Sequence, residues 1–475
     1  MDRLLEDVEV LSTRGCVSAV EVTSVEHDSR HAGPGTMFCC LPGAESDGHD
    51  FAGDAVARGA VGLLVERPQD LEVAQAVVPA GASRRSMARA AATFYGHPAR
   101  SLKMVGVTGT NGKTTVTHIL AAIFEAYGLP TAVIGTLGGA RTTPESPLLQ
   151  RLLAQARDSG QRAAALEVSS HALTQERVEG IRFDAAIFTN LGHDHLDHHG
   201  TMDDYFAAKA SLFSPERAVV AIVCVDDPWG RRLAEDLRIE VVPYSSSEAS
   251  DVEIDARRTA FSWRGRRVVM RLAGSFQVPN ALAAATAAAA LGVPEEIVAI
   301  GLSKALPVPG RFEVVEAEVP FTIVVDYAHT PEGLQVALAS ARSLAKMKQV
   351  IVVFGAGGER DRQKRPAMGA AATAGADLAV ITSDNPRGED PLAIIEAVSS
   401  GVREPAEVLV EPERGRAIEV AFDRAGPGDV VVIAGKGHES VIEVGEKRLA
   451  FDDRVEARAA AQRLVSHSAA RESRE

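Results

Sequence analysis

The chain has 475 residues, too many for one ordinary core and, by length alone, enough for about three domains. Its 46% hydrophobic and 24% charged residues are those of a soluble globular protein. The net charge of −14 argues against nucleic acid or an anionic membrane surface as the main partner.

No apolar run approaches the roughly 18 residues of a membrane span, so no membrane insertion is expected. The start, Met1-Asp2-Arg3-Leu4-Leu5-Glu6-Asp7, is acidic where a secretory signal is basic and then apolar, which points to the cytoplasm. Residues 1–100 read as one unit, with short apolar or alternating runs at 22–26, 36–41, 61–66 and 76–78 and a helical run at 51–58. Two polar stretches, 27–30 and 42–50, are turn-rich and by composition could be plain surface loops. Four cysteines (Cys16, Cys39, Cys40, Cys224) have neither metal-ligand nor disulfide-framework spacing, and three lie in apolar runs as small buried residues.

From 101 to 312 the pattern is strand–helix alternation, with buried strands predicted at 105–108, 132–135, 163–168, 185–189 and 219–225. The Ala-rich run 281–291 reads as a tightly packed helix. Following an apolar lead-in at 102–105, the first of these strands runs into Gly106-Val107-Thr108-Gly109-Thr110-Asn111-Gly112-Lys113-Thr114-Thr115, with helical spacing over 116–124. Gly106, Asn111, Gly112, Lys113 and Thr114 fill a phosphate-loop pattern. Small residues let backbone N–H groups approach a polyphosphate, the lysine meets its β/γ-phosphates, and the threonine hydroxyl can bind Mg²⁺. The following helix N-terminus favours the anion further. A nucleoside triphosphate is the expected ligand.

Two polar clusters follow later strands of this unit. One is Glu167-Val168-Ser169-Ser170-His171; the other runs from Thr189 to Gly200 and packs four of the 13 histidines into seven residues. A zinc site could be made of such a group, but cysteine and regular helical His spacing are missing. Beside a phosphate loop, Mg²⁺ with hard oxygen ligands such as Glu167 is the better match, and solvated loop histidines stay open. From 313 to 475 a second alternation, with strands at 322–325, 350–354, 378–382, 408–410 and 430–434, predicts a separate doubly wound α/β domain. From 466 onward the chain is polar and expected to fray.

Seven motifs in register resemble the Mur ligase family: GTNGKTT (109–115), EVSSHAL (167–173), TNLGHDHLDHHG (189–200), YFAAK (205–209), PGRFE (309–313), DYAHTP (326–331) and GKGHE (435–439). The resemblance implies a three-domain α/β protein. Its parts would be a small N-terminal α/β UDP-binding domain (1–100), a central P-loop ATPase-like domain with a mostly parallel sheet (101–312) and a C-terminal Rossmann-like domain (313–475). It also implies an ATP-dependent, Mg²⁺-requiring amide ligase of peptidoglycan synthesis that acts through an acyl phosphate as a monomer. Within the family the chain is similar to members that join meso-diaminopimelate to UDP-MurNAc-L-Ala-D-Glu.

The same resemblance assigns residues. Gly109, Thr110, Asn111, Gly112, Lys113, Thr114, Thr115, Asn280, Arg311 and Asp326 would hold ATP. Lys113, Glu167, His195 and Lys209 would be catalytic; Thr114, Glu167, His195 and Lys209, the last as N6-carboxylysine, would hold Mg²⁺. Ser29, Arg30, Thr142, Thr143, Ser169, Gln175 and Arg177 would bind the UDP-MurNAc-dipeptide. Arg360, Asp384, Asn385, Pro386, Arg387, Gly435 and Glu439 would bind diaminopimelate, whose distal carboxylate lysine lacks and a guanidinium at Arg387 can pair bidentately. Gln277 stands where the family has asparagine, and Arg141 where some relatives do. Relatives that extend folates lack the domain before the phosphate loop, and a non-catalytic nucleotide binder would not need the metal-bridging set.

Overall fold

The computed structural model describes residues 1–43, 46–139 and 141–472, apart from the side chains of 468–472. Ala44 and Glu45, within the second polar stretch of the N-terminal unit, lie outside the described residues. Strands β1 (Ser12–Arg14), β2 (Ser24–Glu26), β3 (Thr36–Cys39), β4 (Ala60–Val65) and β5 (Ala74–Val77) form the first sheet, in the order β1-β5-β4-β3-β2. All its pairs are parallel except β1–β5. The three residues of β1 are exposed and carry no apolar alternation, so composition did not flag it. Cys39, Cys40 and Cys224 are buried, as their apolar surroundings imply, and Cys16 is exposed.

The central sheet holds β6 (Lys103–Thr108), β7 (Thr131–Ile134), β8 (Ala163–Glu167), β9 (Phe183–Phe188), β10 (Ala218–Cys224) and β11 (Glu240–Tyr244), in the order β11-β10-β9-β6-β8-β7. Every pair is parallel. Apolar residues of β6 serve both faces: Val105 and Val107 join one core and Met104 the other. That two-sided burial is why these strands read as unbroken apolar runs. The expected Ala-rich helix spans Gln277–Ala290 and packs with the helix Lys113–Ala126 over one face. Edge strand β11 escaped the sequence reading because Pro243 interrupts it, a residue a sheet tolerates at its edge. The antiparallel trio β12 (Ala249–Ile254), β13 (Thr259–Trp263) and β14 (Arg266–Met270) was also not foreseen.

The third sheet contains β15 (Glu313–Val315), β16 (Thr322–Asp326), β17 (Val350–Phe354), β18 (Leu378–Ile381), β19 (Glu407–Val410) and β20 (Val430–Ala434), in the order β15-β16-β20-β17-β18-β19. Only β15 runs antiparallel. An exposed hairpin, β21 (Val441–Val444) and β22 (Lys447–Ala450), leads to the helix Asp453–Glu472. The helix runs on past 466, where fraying was expected, to its last described residue, Glu472. Among the described residues no helix is long and apolar enough to cross a membrane.

The N-terminal and central units are tied by ion pairs from the helix Ser83–Phe94: Arg85 to Glu176, and Arg89 to Glu179 at 2.8 Å. In the C-terminal unit, Arg414 and Asp453 form a fully buried bidentate pair, with both N–O distances 2.7 Å. Arg414 also donates to Ala434 O at the end of β20 (2.9 Å) and Ser383 O just after β18 (3.2 Å). It therefore braces the sheet edge on which Asp384 and Gly435 sit. Asp453→Asn leaves a buried guanidinium uncompensated and is expected to destabilise the C-terminal unit by about 3 kcal/mol or more, read by urea unfolding. A loss below about 1 kcal/mol would contradict the bracing role.

Candidate active site

The phosphate loop leaves the carboxyl end of β6 and enters the helix Lys113–Ala126 at Gly112. Gly109 (φ 149°) and Gly112 (φ 89°) hold backbone conformations that L side chains rarely adopt. A Cβ at Gly109 would lie 1.9 Å from Thr189 Oγ1, and one at Gly112 2.5 Å from Asn280 Oδ1. The next strand end grips the loop: Thr189 Oγ1 donates to Asn111 O (2.6 Å), Thr110 N to Asn190 O (2.9 Å) and Asn111 N to Asn190 Oδ1 (2.9 Å). No side chain caps the helix, so its first N–H groups stay available to an anion. Lys113 Nζ meanwhile donates to Gly109 O (2.8 Å) and Thr110 O (2.9 Å).

Glu167 ends β8 and is buried. Its carboxylate meets neutral donors: Thr114 Oγ1 (2.9 Å), Thr136 N (2.8 Å) and Thr136 Oγ1 (3.1 Å). Its backbone carbonyl accepts from Thr143 Oγ1 (2.8 Å), which in turn accepts from Ser169 N (3.0 Å). Arg177 donates to Thr143 O (2.8 Å) and Gln175 Oε1 (2.6 Å) and pairs with Glu145 at 2.9 Å. Thr142 accepts from Thr136 Oγ1 at 3.1 Å. Thr142, Thr143, Ser169, Gln175 and Arg177 thus form one network opening from Glu167. Ser29 and Arg30 lie apart on the N-terminal unit, where exposed Arg30 forks onto Asp28.

Lys209 is 1% exposed and donates to Gly109 O at 2.8 Å, beneath the phosphate loop. Burial, and then the charge of Lys113, push its pKa well below the ordinary lysine range. The Tyr205 ring lies 4.6 Å away, and among the described residues no carboxylate forms an ion pair with Lys209, although Asp194 opposes the downward shift. His195 stands against His171 (ring centroids 4.8 Å apart) and Asp194 (3.3 Å). Burial drives the His195 pKa down to about 3, against the opposing pull of Asp194. Of the expected metal ligands, Thr114 and Glu167 are hydrogen-bonded to each other, while His195 and Lys209 each lie near the Tyr205 ring. Among the described residues no three His, Cys, Asp or Glu side chains converge as a ready-made metal cage.

The C-terminal unit faces this edge. Arg311 donates to Thr114 Oγ1 at 3.0 Å and lies over the Tyr327 ring at 4.2 Å. Asp326, buried deeply enough for desolvation to raise its pKa, is held by Phe312 N (2.6 Å) and Ala328 N (2.8 Å). Asn280, beside Gly112, donates to Gln277 Oε1 at 3.4 Å. After β18, Asn385 donates to Glu439 Oε2 (2.8 Å) and accepts from Lys436 Nζ (3.0 Å). Arg387 holds a positive φ of 51° and donates to Gly358 O at 2.7 Å, so Pro386 and Arg387 pack on the loop that carries exposed Arg360. A Cβ at Gly435 would lie 2.5 Å from Asp384 Oδ2, so these two motif ends touch.

Several neighbours were not foreseen. Glu145 gathers Arg84, Arg141 and Arg177, with Arg84 arriving from the N-terminal unit. Asp194 faces His329 and Lys364 across the domain boundary, each at 4.0 Å, and His193 reaches Asp361 at 3.3 Å. Burial would raise the Asp194 pKa, but His195, His329 and Lys364 together hold it at about 2. Lys436 sits in a motif already singled out and could have been noticed there.

Three family models cover most of the chain. "Mur ligase family, catalytic domain" matches residues 21–105, "Mur ligase middle domain" 107–288, and "Mur ligase, glutamate ligase domain" 310–437. A curated relative from Geobacillus kaustophilus (strain HTA426), UDP-N-acetylmuramoyl-L-alanyl-D-glutamate–2,6-diaminopimelate ligase, is 45% identical and covers 93% of this chain and 95% of its own. The chain belongs to the Mur ligase family. A solved structure of a ligase with that same name superposes with TM-score 0.63 at 31% identity, covering 93% of this chain and 95% of the other. Mycobacterium tuberculosis folylpolyglutamate synthase complexed with ADP and AMPPCP shares the fold, with TM-score 0.61 at 20% identity over 81% of this chain and 94% of its own.

The site of this Mur ligase also carries a pH signature. His171, His199 and His438 each fall to about 4, in every instance chiefly through burial. Nearby cations add to it: His198 and His199 for His171, His198 and Lys209 for His199, Arg311 and Arg454 for His438. Unfolded, these imidazoles bind protons near the ordinary value of about 6.5. Below that pH the unfolded chain takes up more protons than the folded one, so stability is retained above about 6.5 and falls as pH drops toward about 4. The thermal midpoint is expected to decline across that window, with ring-proton NMR titrations centred below pH 5. Titrations near 6.5 would contradict the burial of these rings.

Proposed function

We propose that this chain is the ATP-dependent ligase that joins meso-diaminopimelate to UDP-MurNAc-L-Ala-D-Glu in peptidoglycan precursor synthesis. We extend the reading to a cytoplasmic monomer on family resemblance alone. The observation that carries it is Lys209, a buried lysine that forms no ion pair with a carboxylate among the described residues, set against the phosphate loop. A protein that only bound nucleotide would gain nothing from so costly a group. The domain limits 1–100, 101–312 and 313–475 belong to the same proposal, with Arg311 at the last boundary.

Lys113, with the amides of 109–115, holds the β/γ-phosphates of ATP, and Arg311 approaches from the other side. Asn280 faces the adenine and Asp326 the ribose. Thr114 and Glu167 fit Mg²⁺: both are hard oxygen donors, 2.9 Å apart, and among the described residues the carboxylate's hydrogen-bond donors are neutral. Lys209 in its neutral form could take up CO₂, losing one proton, to give a carbamate, and with neutral His195 it would then hold a second Mg²⁺. Mg²⁺ held by these residues would offset the negative charge gathered on the phosphates.

The Thr142–Arg177 network and Ser169 orient the muramoyl-peptide, while Ser29 and Arg30 hold its UDP end. A substrate carboxylate oxygen attacks the γ-phosphorus and ADP leaves, giving an acyl phosphate. The free amine of diaminopimelate then attacks the acyl carbon, and the tetrahedral adduct expels phosphate with loss of a proton. Arg360, Asp384, Asn385, Pro386, Arg387, Gly435 and Glu439 hold that amino acid. The chain's contribution is mainly positioning and charge compensation.

Phosphate release from ATP with UDP-MurNAc-L-Ala-D-Glu is expected with meso-diaminopimelate and not with L-lysine. Release with lysine alone would keep the ligase and remove the role given to Arg387. Arg387→Ala is expected to raise the amino-acid KM roughly 30-fold, about 2 kcal/mol, with the ATP KM little changed. An unchanged amino-acid KM would contradict the assignment.

A further inference from the structure

Glu145 ends the loop that carries Thr142 and Thr143 and stands at the N-cap position of the helix Ser146–Asp158. Its carboxylate makes no cap hydrogen bond there and turns instead to three guanidiniums. Arg177 Nη2 lies 2.9 Å from Oε1, Arg141 Nη1 donates to the same oxygen, and Arg84 Nη1 lies 3.7 Å from Oε2. These arginines come from three places. Arg141 precedes the two threonines, Arg177 follows the short helix Ser170–Thr174, and Arg84 opens the helix Ser83–Phe94 of the N-terminal unit. The side chains of Glu145 and Arg177 are 11% and 9% exposed, so the pair at the centre is nearly dry.

One carboxylate cannot balance three guanidiniums, and the cluster stays net positive. Burial, with Arg141 and Arg84 adding to it, pushes the Arg177 pKa below the ordinary arginine range, and Glu145 opposes them. Among the described residues Arg177 Nε is buried without a hydrogen-bond partner. His27, next to Asp28-Ser29-Arg30, brings a second such atom, its buried Nδ1, within the field of Glu145, Arg141 and Arg84. An unpartnered buried donor beside surplus positive charge suits an anion that arrives from outside.

We propose that Glu145 is a positioning residue of the muramoyl-peptide site, gathering Arg84, Arg141 and Arg177 so that Arg177 is held ready for the peptide carboxylates of UDP-MurNAc-L-Ala-D-Glu. The inference rests on the ligase reading above, in which the Thr142–Arg177 network orients that peptide. Without Glu145 the guanidiniums repel one another where little water screens them, and Arg177 loses its charged anchor. Thr143 O (2.8 Å) and Gln175 Oε1 (2.6 Å) still accept from it but carry no charge to offset its own. Because Arg84 belongs to the N-terminal unit, the same carboxylate also ties the unit holding the UDP end to the site holding the peptide end. A Glu145 that merely competed with substrate for the arginines would have the opposite sign: its removal would tighten binding.

The test uses the full chain with ATP, meso-diaminopimelate and UDP-MurNAc-L-Ala-D-Glu, with UDP as a competing ligand that lacks the peptide. Glu145→Gln, which keeps the shape and removes the charge, is expected to raise the KM for UDP-MurNAc-L-Ala-D-Glu about tenfold. The KM values of ATP and diaminopimelate and the inhibition constant of UDP are expected to stay within about twofold. Glu145→Asp keeps the charge and is expected to restore part of the loss, leaving a rise of about threefold. Should Glu145→Gln fail to fold, judged by its thermal midpoint, Glu145→Asp carries the comparison. An unchanged or lower KM for the muramoyl-peptide in the folded variant overturns the proposal. So does an equal weakening of UDP and ATP, which marks a general structural loss. Absence of turnover by the unsubstituted chain overturns the ligase reading itself, a separate result.

Discussion

The parallel pairing of β6 between β8 and β9 is the constraint on which the site depends. Parallel strands end on the same edge, and β6 is where the chain reverses its direction of growth across the central sheet. Strand ends on either side of such a reversal leave a crevice between their loops. Here the crevice receives the phosphate loop from β6, Glu167 from β8 and Thr189 from β9, and their mutual hydrogen bonds fix its walls. A one-residue slip in any of these pairs would turn Glu167 or Thr108 to the other face and dismantle the loop's support. The apolar burial that holds the register, on both faces of β6, is therefore also what holds the chemistry in place.

Charge is distributed unevenly around that crevice. The chain as a whole is acidic, at −14, yet Lys113, Lys209 and Arg311 meet around the phosphate loop. Holding cations close together in a partly dry site is unfavourable without an anion, and becomes favourable once a polyphosphate enters. The loop carbonyls of Gly109 and Thr110 occupy the lysines meanwhile. Arg311, at the boundary, adds a further charge, and the C-terminal unit brings His329 and Lys364 to face Asp194. Contacts of this kind tie the third unit to the central one.

Much of this was legible because the phosphate loop needs particular residue types at particular spacing. Glycine at 109 and 112 answers to close approaches that no other residue permits, and Lys113 and Thr114 follow from the chemistry of phosphate. Buried parallel strands were legible for a related reason, since burial on two faces writes a continuous apolar run. Less visible were strands whose side chains meet water, such as β1 and the β21–β22 hairpin, where no alternation survives. The network around Glu145 could not be read either: Arg84 and Arg177 are far apart in sequence and meet only through docking of two units.

The most direct test of an acyl-phosphate route is oxygen transfer. The carboxylates of UDP-MurNAc-L-Ala-D-Glu are labelled with ¹⁸O, the reaction is run with ATP and meso-diaminopimelate, and the released phosphate is examined by mass spectrometry. Phosphorylation of the carboxylate before amine attack leaves one ¹⁸O in each phosphate formed. Phosphate free of label, alongside normal amide product, would contradict the mechanism built on this site.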